Sequence, residues 1–221
     1  MTLTLYYHPL ASACWKVLVA LYANGTAFTP RLIDLSQQSD RDLMAGLTPL
    51  GKMPALRDDA SGATIAETSV IIEWLDQNRP GPAPLIPKEN ALDVRTWDRV
   101  FDFYVHDPMQ RIVSARLFLS ESAAAEIAAE ARKQLDQAYR VLDRHLIGKD
   151  WATGPAFTLA DCAAAPALFY AGILQPFDGH AQLTGYFERL LALPAFARVL
   201  DEARPYFDMF PFQDQMPARF R

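Results

Sequence analysis

The run from Leu3 to Tyr7 has the length and content of one strand, and the apolar run from Cys14 to Ala23 is long enough for a helix. A strand-like stretch from Phe28 to Leu35 follows. After Gly51, two short strand-like pieces surround Ala55-Leu56 and Thr64-Ile65, and the second leads into an amphipathic helix carrying Val70, Ile71, Ile72, Trp74 and Leu75. This alternation predicts a small α/β domain. The pattern stops at Arg79-Pro80-Gly81-Pro82-Ala83-Pro84-Leu85-Ile86-Pro87, where each proline lacks an amide hydrogen and restricts the residue before it. Beyond it, Ile127, Ala131, Leu135, Ala138, Leu142 and Leu146 recur at helical spacing and place one apolar stripe on a long helix. Further helices are expected over Thr158 to Tyr170, Leu183 to Leu191 and Pro194 to Ala203, the last with proline in its first turn, where the missing donor costs nothing. The chain therefore divides into an α/β domain over residues 1–79, a linker over 80–89 and an all-α domain over 90–221.

Composition narrows the partners. The chain has 221 residues, 51% of them hydrophobic, enough for a substantial core. A net charge of -5, without long runs of one sign, gives no reason to expect nucleic acid or an anionic membrane as partner. Cys14 and Cys162 lie far apart and do not read as a disulfide framework. The opening Met1-Thr2-Leu3-Thr4-Leu5 has no basic leader, and no run of roughly 18 apolar residues spans a bilayer. A cytoplasmic location is expected. His8, His106, His145 and His180 do not stand at ligand spacing, so no metal site is expected, and no Gly-rich phosphate loop is present.

Motifs carry the function. Leu5-Tyr6-Tyr7-His8-Pro9-Leu10-Ala11-Ser12-Ala13-Cys14-Trp15-Lys16-Val17 reads as a strand turning into a helix, and here the sequence resembles the cytosolic glutathione S-transferases, with bacterial beta-, zeta- or theta-like features. In that family a tyrosine, serine or cysteine at this turn meets the glutathione sulfur, which makes Ser12 the matching catalytic residue. A hydroxyl donating to sulfur favours thiolate over thiol, and a helix N-terminus adds to the effect. Ser12 also reads as a helix cap. A second register, aligned on Trp15-Lys16-Val17, puts the family serine on Ala11; the gap-free match to the beta class puts Ser12 at that class's cysteine and is preferred. Cys14 resembles the second cysteine of a Cys-x-x-Cys pair whose first member is Ala11 here, which excludes a dithiol mechanism. Cys14 is left as core or as a thiol forming a mixed disulfide with glutathione.

Thr48-Pro49-Leu50-Gly51-Lys52-Met53-Pro54-Ala55-Leu56 is similar to the signature before the third strand of thioredoxin-like domains. The resemblance makes Pro54 a cis proline and assigns Lys52, Met53 and Pro54 to glutathione, the Met53 backbone pairing with its cysteinyl unit. Without the resemblance the segment is a turn entering a strand. In Ile65-Ala66-Glu67-Thr68-Ser69-Val70-Ile71, Glu67 and Thr68 match the family's grip on the γ-glutamyl end, a carboxylate for the ammonium and a hydroxyl plus helix amides for the carboxylate. Thr68 stands where serine is usual. Capping of the helix by Thr68 or Ser69 is compatible with that role.

The implied fold is an N-terminal thioredoxin-like domain followed by a C-terminal α-helical bundle domain. Phe157-Thr158-Leu159-Ala160-Asp161 is similar to the family's Ser/Thr-x-x-Asp box, a structural cap. Residues 206–221 read as a tail packing back over the surface. Trp97, Phe101, Tyr104 and Val105 form an apolar stripe on the first helix of the second domain, and Pro108 is expected to kink or interrupt it. Leu10, Tyr104 and Arg111 are assigned to a second-substrate pocket. His106 resembles a beta-class histidine that approaches the sulfur, and a solvated cap is its other reading. The resemblance implies glutathione as co-substrate, a small electrophile as its partner in conjugation, isomerisation or dehalogenation, and a homodimer. A non-catalytic binder and a thiol reductase acting through Cys14 are the alternatives.

Overall fold

The structure, a computed structural model, describes residues 2–221. Strands β1 (Leu3–Tyr7), β2 (Thr29–Leu32), β3 (Ala55–Asp58) and β4 (Thr64–Ala66) form one sheet in the order β2-β1-β3-β4. β1 and β2 are parallel; β1–β3 and β3–β4 are antiparallel, with Leu5 opposite Leu56 and Leu56 opposite Ile65. Alternation along the strands splits the core. Leu3, Leu5, Leu56 and Ile65 face α1 (Ser12–Ala23) and α3 (Thr68–Asn78), whereas Tyr6 and Ala55 pack with Ile33 beneath α2 (Gln38–Leu47). Pro30 sits on edge strand β2, where its missing donor breaks no central ladder.

α1 is interior on every side, since Cys14 through Leu21 are all buried. The sheet covers one side of it and the helical domain the other, so its full circumference is interior. Trp15 lies there against Phe169, Tyr170 and Phe196. α2 has no counterpart in the apolar pattern, because only Asp40 and Met44 of its residues are buried.

The Pro-rich segment is pinned rather than loose. Asp76 accepts the amides of Leu85 (2.8 Å) and Ile86 (3.2 Å), and the Leu85 carbonyl accepts the Leu159 amide (2.9 Å). The helical domain then follows as α4 (Ala91–Phe101), α5 (Asp107–Phe118), α6 (Glu121–His145), α7 (Leu159–Leu174), α8 (Ala181–Ala192) and α9 (Pro194–Ala203). The α6 stripe is buried from Ala131 to Leu142, with Ile127 half-buried at its open end. α7 is the axis of the domain and is interior along nearly its whole length.

Asp161 anchors α7. Its carboxylate accepts from the Thr158 amide (2.8 Å), the Thr158 hydroxyl (3.0 Å), the Ala152 amide (2.8 Å) and the Tyr186 hydroxyl (2.6 Å). Replacing Asp161 by alanine strands several buried donors at about 1–3 kcal/mol each. The expected result is a loss of about 3–5 kcal/mol, seen as a melting midpoint lowered by roughly 10 °C. A midpoint within 2 °C or so of wild type contradicts this anchoring role.

Between α4 and α5 the helix does not break at Pro108. Asp102–His106 widen into a π turn, with the Asp107 amide reaching back to the Asp102 carbonyl. In a regular helix the Pro108 ring meets the Tyr104 carbonyl and leaves it without a donor; the wider turn admits the proline without ending the helix. Short turns over Arg204–Met209, Gln213–Gln215 and Ala218–Phe220 bring the tail back onto α7. Phe207 and Phe220 contact Phe169, and Phe210 contacts Tyr170.

Candidate active site

A cleft of about 960 Å³ opens between the sheet domain and the helical domain. Three segments of the first domain reach it: the turn into α1 with Leu10 and Ser12, the stretch before β3 with Lys52, Met53 and Pro54, and the start of α3 with Glu67 and Thr68. The structure thus brings together seven residues singled out separately in the sequence. The Met53–Pro54 peptide is cis.

Ser12 is the first residue of α1, and Ala11 is the N-cap with no side-chain bond to the helix amides. The Ser12 hydroxyl lies instead 2.8 Å from His106 Nε2, so its hydrogen bond crosses between the domains rather than closing the helix. Burial pushes the His106 pKa below its ordinary value, with Lys16 acting in the same direction and the carboxylates of Asp102 and Asp107 opposing. The imidazole is therefore neutral at neutral pH and has one donor and one acceptor nitrogen.

The start of α3 is also uncapped by a side chain. Glu67 is the N-cap at φ 67°, the one non-glycine residue with positive φ among the described residues. Such a conformation costs about 1–3 kcal/mol and persists where surrounding structure enforces it. It leaves the first amides of α3 without side-chain acceptors and at the positive end of the helix. Ser69, one reading of which was a cap, donates to Asp98 at 2.9 Å.

Beneath these groups lies a charged cluster that the motifs did not flag. Lys16, 3% exposed, stands one turn after Ser12 and meets Asp98 at 2.6 Å, Asp102 at 2.8 Å and Ser69 at 2.9 Å. Asp98 is 2% exposed, and its Oδ1 has the Lys16 charge as partner but no well-angled hydrogen bond. Arg99 bridges Asp98, Asp102 and Ser69 from the solvent side. The cluster ties α1, α3 and α4 together directly under the cleft. Its one signal in the sequence is a lysine inside an otherwise apolar run.

Three sequence assignments fall elsewhere. Cys14 is 0% exposed and faces the core, and burial pushes its thiol up to about 12, which leaves it neither accessible nor thiolate. Tyr104 points outward, 60% exposed, and does not line the cleft. Arg111 turns to Gln134 on α6 and to Asp107 at 3.3 Å, away from the cleft. The π turn and α5 face the cleft with Phe103, His106, Gln110, Val113 and Leu117. A face read at 3.6 residues per turn does not carry across the π turn, whose extra residue rotates the helix beyond it by about 100°. The far wall is completed by Tyr170, whose hydroxyl donates to the Leu10 carbonyl at 2.7 Å, and by Met209 and Phe210 of the tail.

Residues 5–83 match the family described as glutathione S-transferase, N-terminal domain, and residues 102–194 match glutathione S-transferase, C-terminal domain. Glutathione S-transferase theta-1 of Homo sapiens is 29% identical over 207 residues, 87% of this chain and 83% of that protein. A probable maleylacetoacetate isomerase of Vibrio cholerae is 26% identical over 220 residues, 93% of this chain and 98% of that protein. Among solved structures, the glutathione S-transferase of Methylobacterium radiotolerans in complex with glutathione sulfonate superposes with a TM-score of 0.78 at 25% identity, covering 90% of this chain and 94% of that one. With both domain families matched in order, and the sheet, the cis Pro54 turn and the interdomain cleft in place, the chain belongs to the glutathione S-transferase family.

Proposed function

We propose that this enzyme binds glutathione along the cleft, ionises its thiol at Ser12 and directs the sulfur at a small electrophile. The observation that carries the reading is the Ser12–His106 pair, a hydroxyl at the start of α1 held by a neutral imidazole of the other domain. With the proton on Nε2 the ring donates to Ser12 Oγ, and the hydroxyl proton is left for the sulfur. A thiolate there meets one donor, the Ser12 hydroxyl, backed by the imidazole and set at the positive end of α1. Glu67 receives the γ-glutamyl ammonium, Thr68 and the α3 amides receive the adjoining carboxylate, and the Met53 backbone pairs with the cysteinyl unit. Lys52 stands near the glycyl end. The reaction needs no metal.

The apolar half of the cleft, with Leu10, Phe103, Val113 and Phe210, supports an uncharged electrophile. The buried thiol of Cys14 gives no support to a reductase route. Two unpaired cysteines suit a reducing, cytoplasmic setting, and no helix among the described residues is long and apolar enough to cross a membrane. Exposed Val70, Leu92 and Phe103 on α3, α4 and the π turn suit a homodimer. Titration calorimetry with glutathione tests the placement. Glu67→Gln is expected to weaken binding about tenfold or more through loss of a charged hydrogen bond, and unchanged affinity contradicts it.

A further inference from the structure

The Ser12–His106 pair has a chemistry that thiolate stabilisation leaves unused. A hydroxyl 2.8 Å from an imidazole nitrogen is the arrangement in which histidine activates serine as a nucleophile. Which chemistry the pair performs depends on the ring tautomer. With the proton on Nδ1 rather than Nε2, Nε2 accepts the Ser12 proton and Oγ is free to attack. In Ser-His-acid sites a carboxylate bonded to the ring fixes one tautomer. Here, among the described residues, the ring's hydrogen bond is to Ser12, and Asp102, Asp107 and Lys16 act on it through space. The same pair is therefore a donor relay when a thiolate faces it and a nucleophile with its base when the sulfur is already capped.

We propose that the site has a second activity, hydrolysis of S-acylglutathione thioesters, with Ser12 as nucleophile and His106 as general base and acid. The inference rests on the glutathione placement above, because the tripeptide is the handle that sets the thioester carbonyl beside Ser12. Ser12 Oγ attacks the carbonyl carbon while its proton passes to His106 Nε2. The tetrahedral intermediate collapses, the C–S bond breaks, and glutathione leaves as thiol with the proton from His106. Water then attacks the acyl-serine ester and gives a proton to His106; the ester C–O bond breaks and Ser12 recovers that proton. The products are one carboxylic acid and one glutathione, with water as the only co-reactant.

Two further features suit this chemistry. The Ser12 and Ala13 amides at the start of α1 have no backbone acceptor, unlike that of Cys14, which donates to the Ala11 carbonyl at 2.9 Å, and they lie beside the Ser12 hydroxyl, where an oxyanion develops. Ala11 and Ala13 flank Ser12 without bulk, and Phe103, Val113, Leu117, Met209 and Phe210 give an acyl group an apolar berth. An aromatic or alkyl acyl chain fits that wall better than a charged one.

S-benzoylglutathione tests the proposal, with released thiol and benzoate measured for wild type, Ser12→Ala and His106→Asn, and S-hexylglutathione binding measured in parallel on each. Wild type is expected to turn over, with a benzoyl adduct on the Ser12 peptide in quenched samples. Both variants are expected to keep S-hexylglutathione binding and lose about a hundredfold or more of the hydrolysis. Hydrolysis undiminished in Ser12→Ala, or an adduct on Cys14, overturns the assignment. Wild type that binds S-hexylglutathione and conjugates an aromatic halide yet leaves the thioester intact overturns this inference alone. Absence of S-hexylglutathione binding overturns it together with the glutathione placement.

Discussion

Replacing Ser12 by alanine is expected to lower kcat/KM for conjugation of an aromatic halide by about 10²–10³-fold, the cost of removing one preorganised donor from an anion site. Glutathione affinity is expected to change much less, because the proposed anchors at Glu67, Thr68 and Met53 are untouched. The loss should therefore fall on kcat and on the pH at which bound glutathione acquires thiolate absorbance, which moves upward. Sulfur loses the hydroxyl and, with it, the link to His106, since the two act in series. His106→Asn should show a smaller shift in the same direction. Equal kcat/KM in wild type and Ser12→Ala contradicts the assignment, and points to Ala11 as the turn's functional position with backbone donors alone serving the sulfur.

The second large effect lies under the site. Lys16→Met removes the cation between Asp98 and Asp102 and leaves buried Asp98 with Arg99 as its remaining charge partner. Breaking a buried ion pair from one side costs about 3–5 kcal/mol, because the remaining charge stays desolvated. For a chain of this size that corresponds to a melting midpoint lower by roughly 6–20 °C. Lys16→Met with Asp98→Asn should recover part of the loss, since the stranded carboxylate is removed with its partner. A single variant as stable as wild type contradicts the role given to the cluster. The cluster also joins the two ends of the proposed glutathione site, as Lys16 is on the helix of Ser12 and hydrogen-bonds Ser69 beside Thr68.

Much of this site was legible because its parts are local. The β1–α1 turn, the Gly51–Pro54 segment and the Glu67–Thr68 helix start each carry their residue types within a few positions. The fold sets them around one cleft because all three leave the same end of the sheet. The β1 strand and the α6 stripe were legible for the same reason. The missing parts depend on partners far along the chain. Lys16 meets Asp98 and Asp102 because α1 and α4 both pack on α7, and nothing near Lys16 announces them. α2 escaped because its exposed face is polar and its buried face is one turn wide. Tyr104 and Arg111 were assigned to the cleft with a kink or break expected at Pro108, and the π turn found there instead gives the cleft wall to Phe103 and Gln110. The sequence left capping as a second reading of Ser12, and the N-cap at Ala11 shows that its hydroxyl is not spent that way.

The most direct test is a crystal structure of the protein with glutathione bound. The account predicts the sulfur within hydrogen-bond distance of Ser12 Oγ and the γ-glutamyl group at Glu67 and Thr68, with the Ser12–His106 contact retained. A tripeptide whose sulfur meets Ala11 backbone or no donor at all, or one lying outside the cleft, contradicts it.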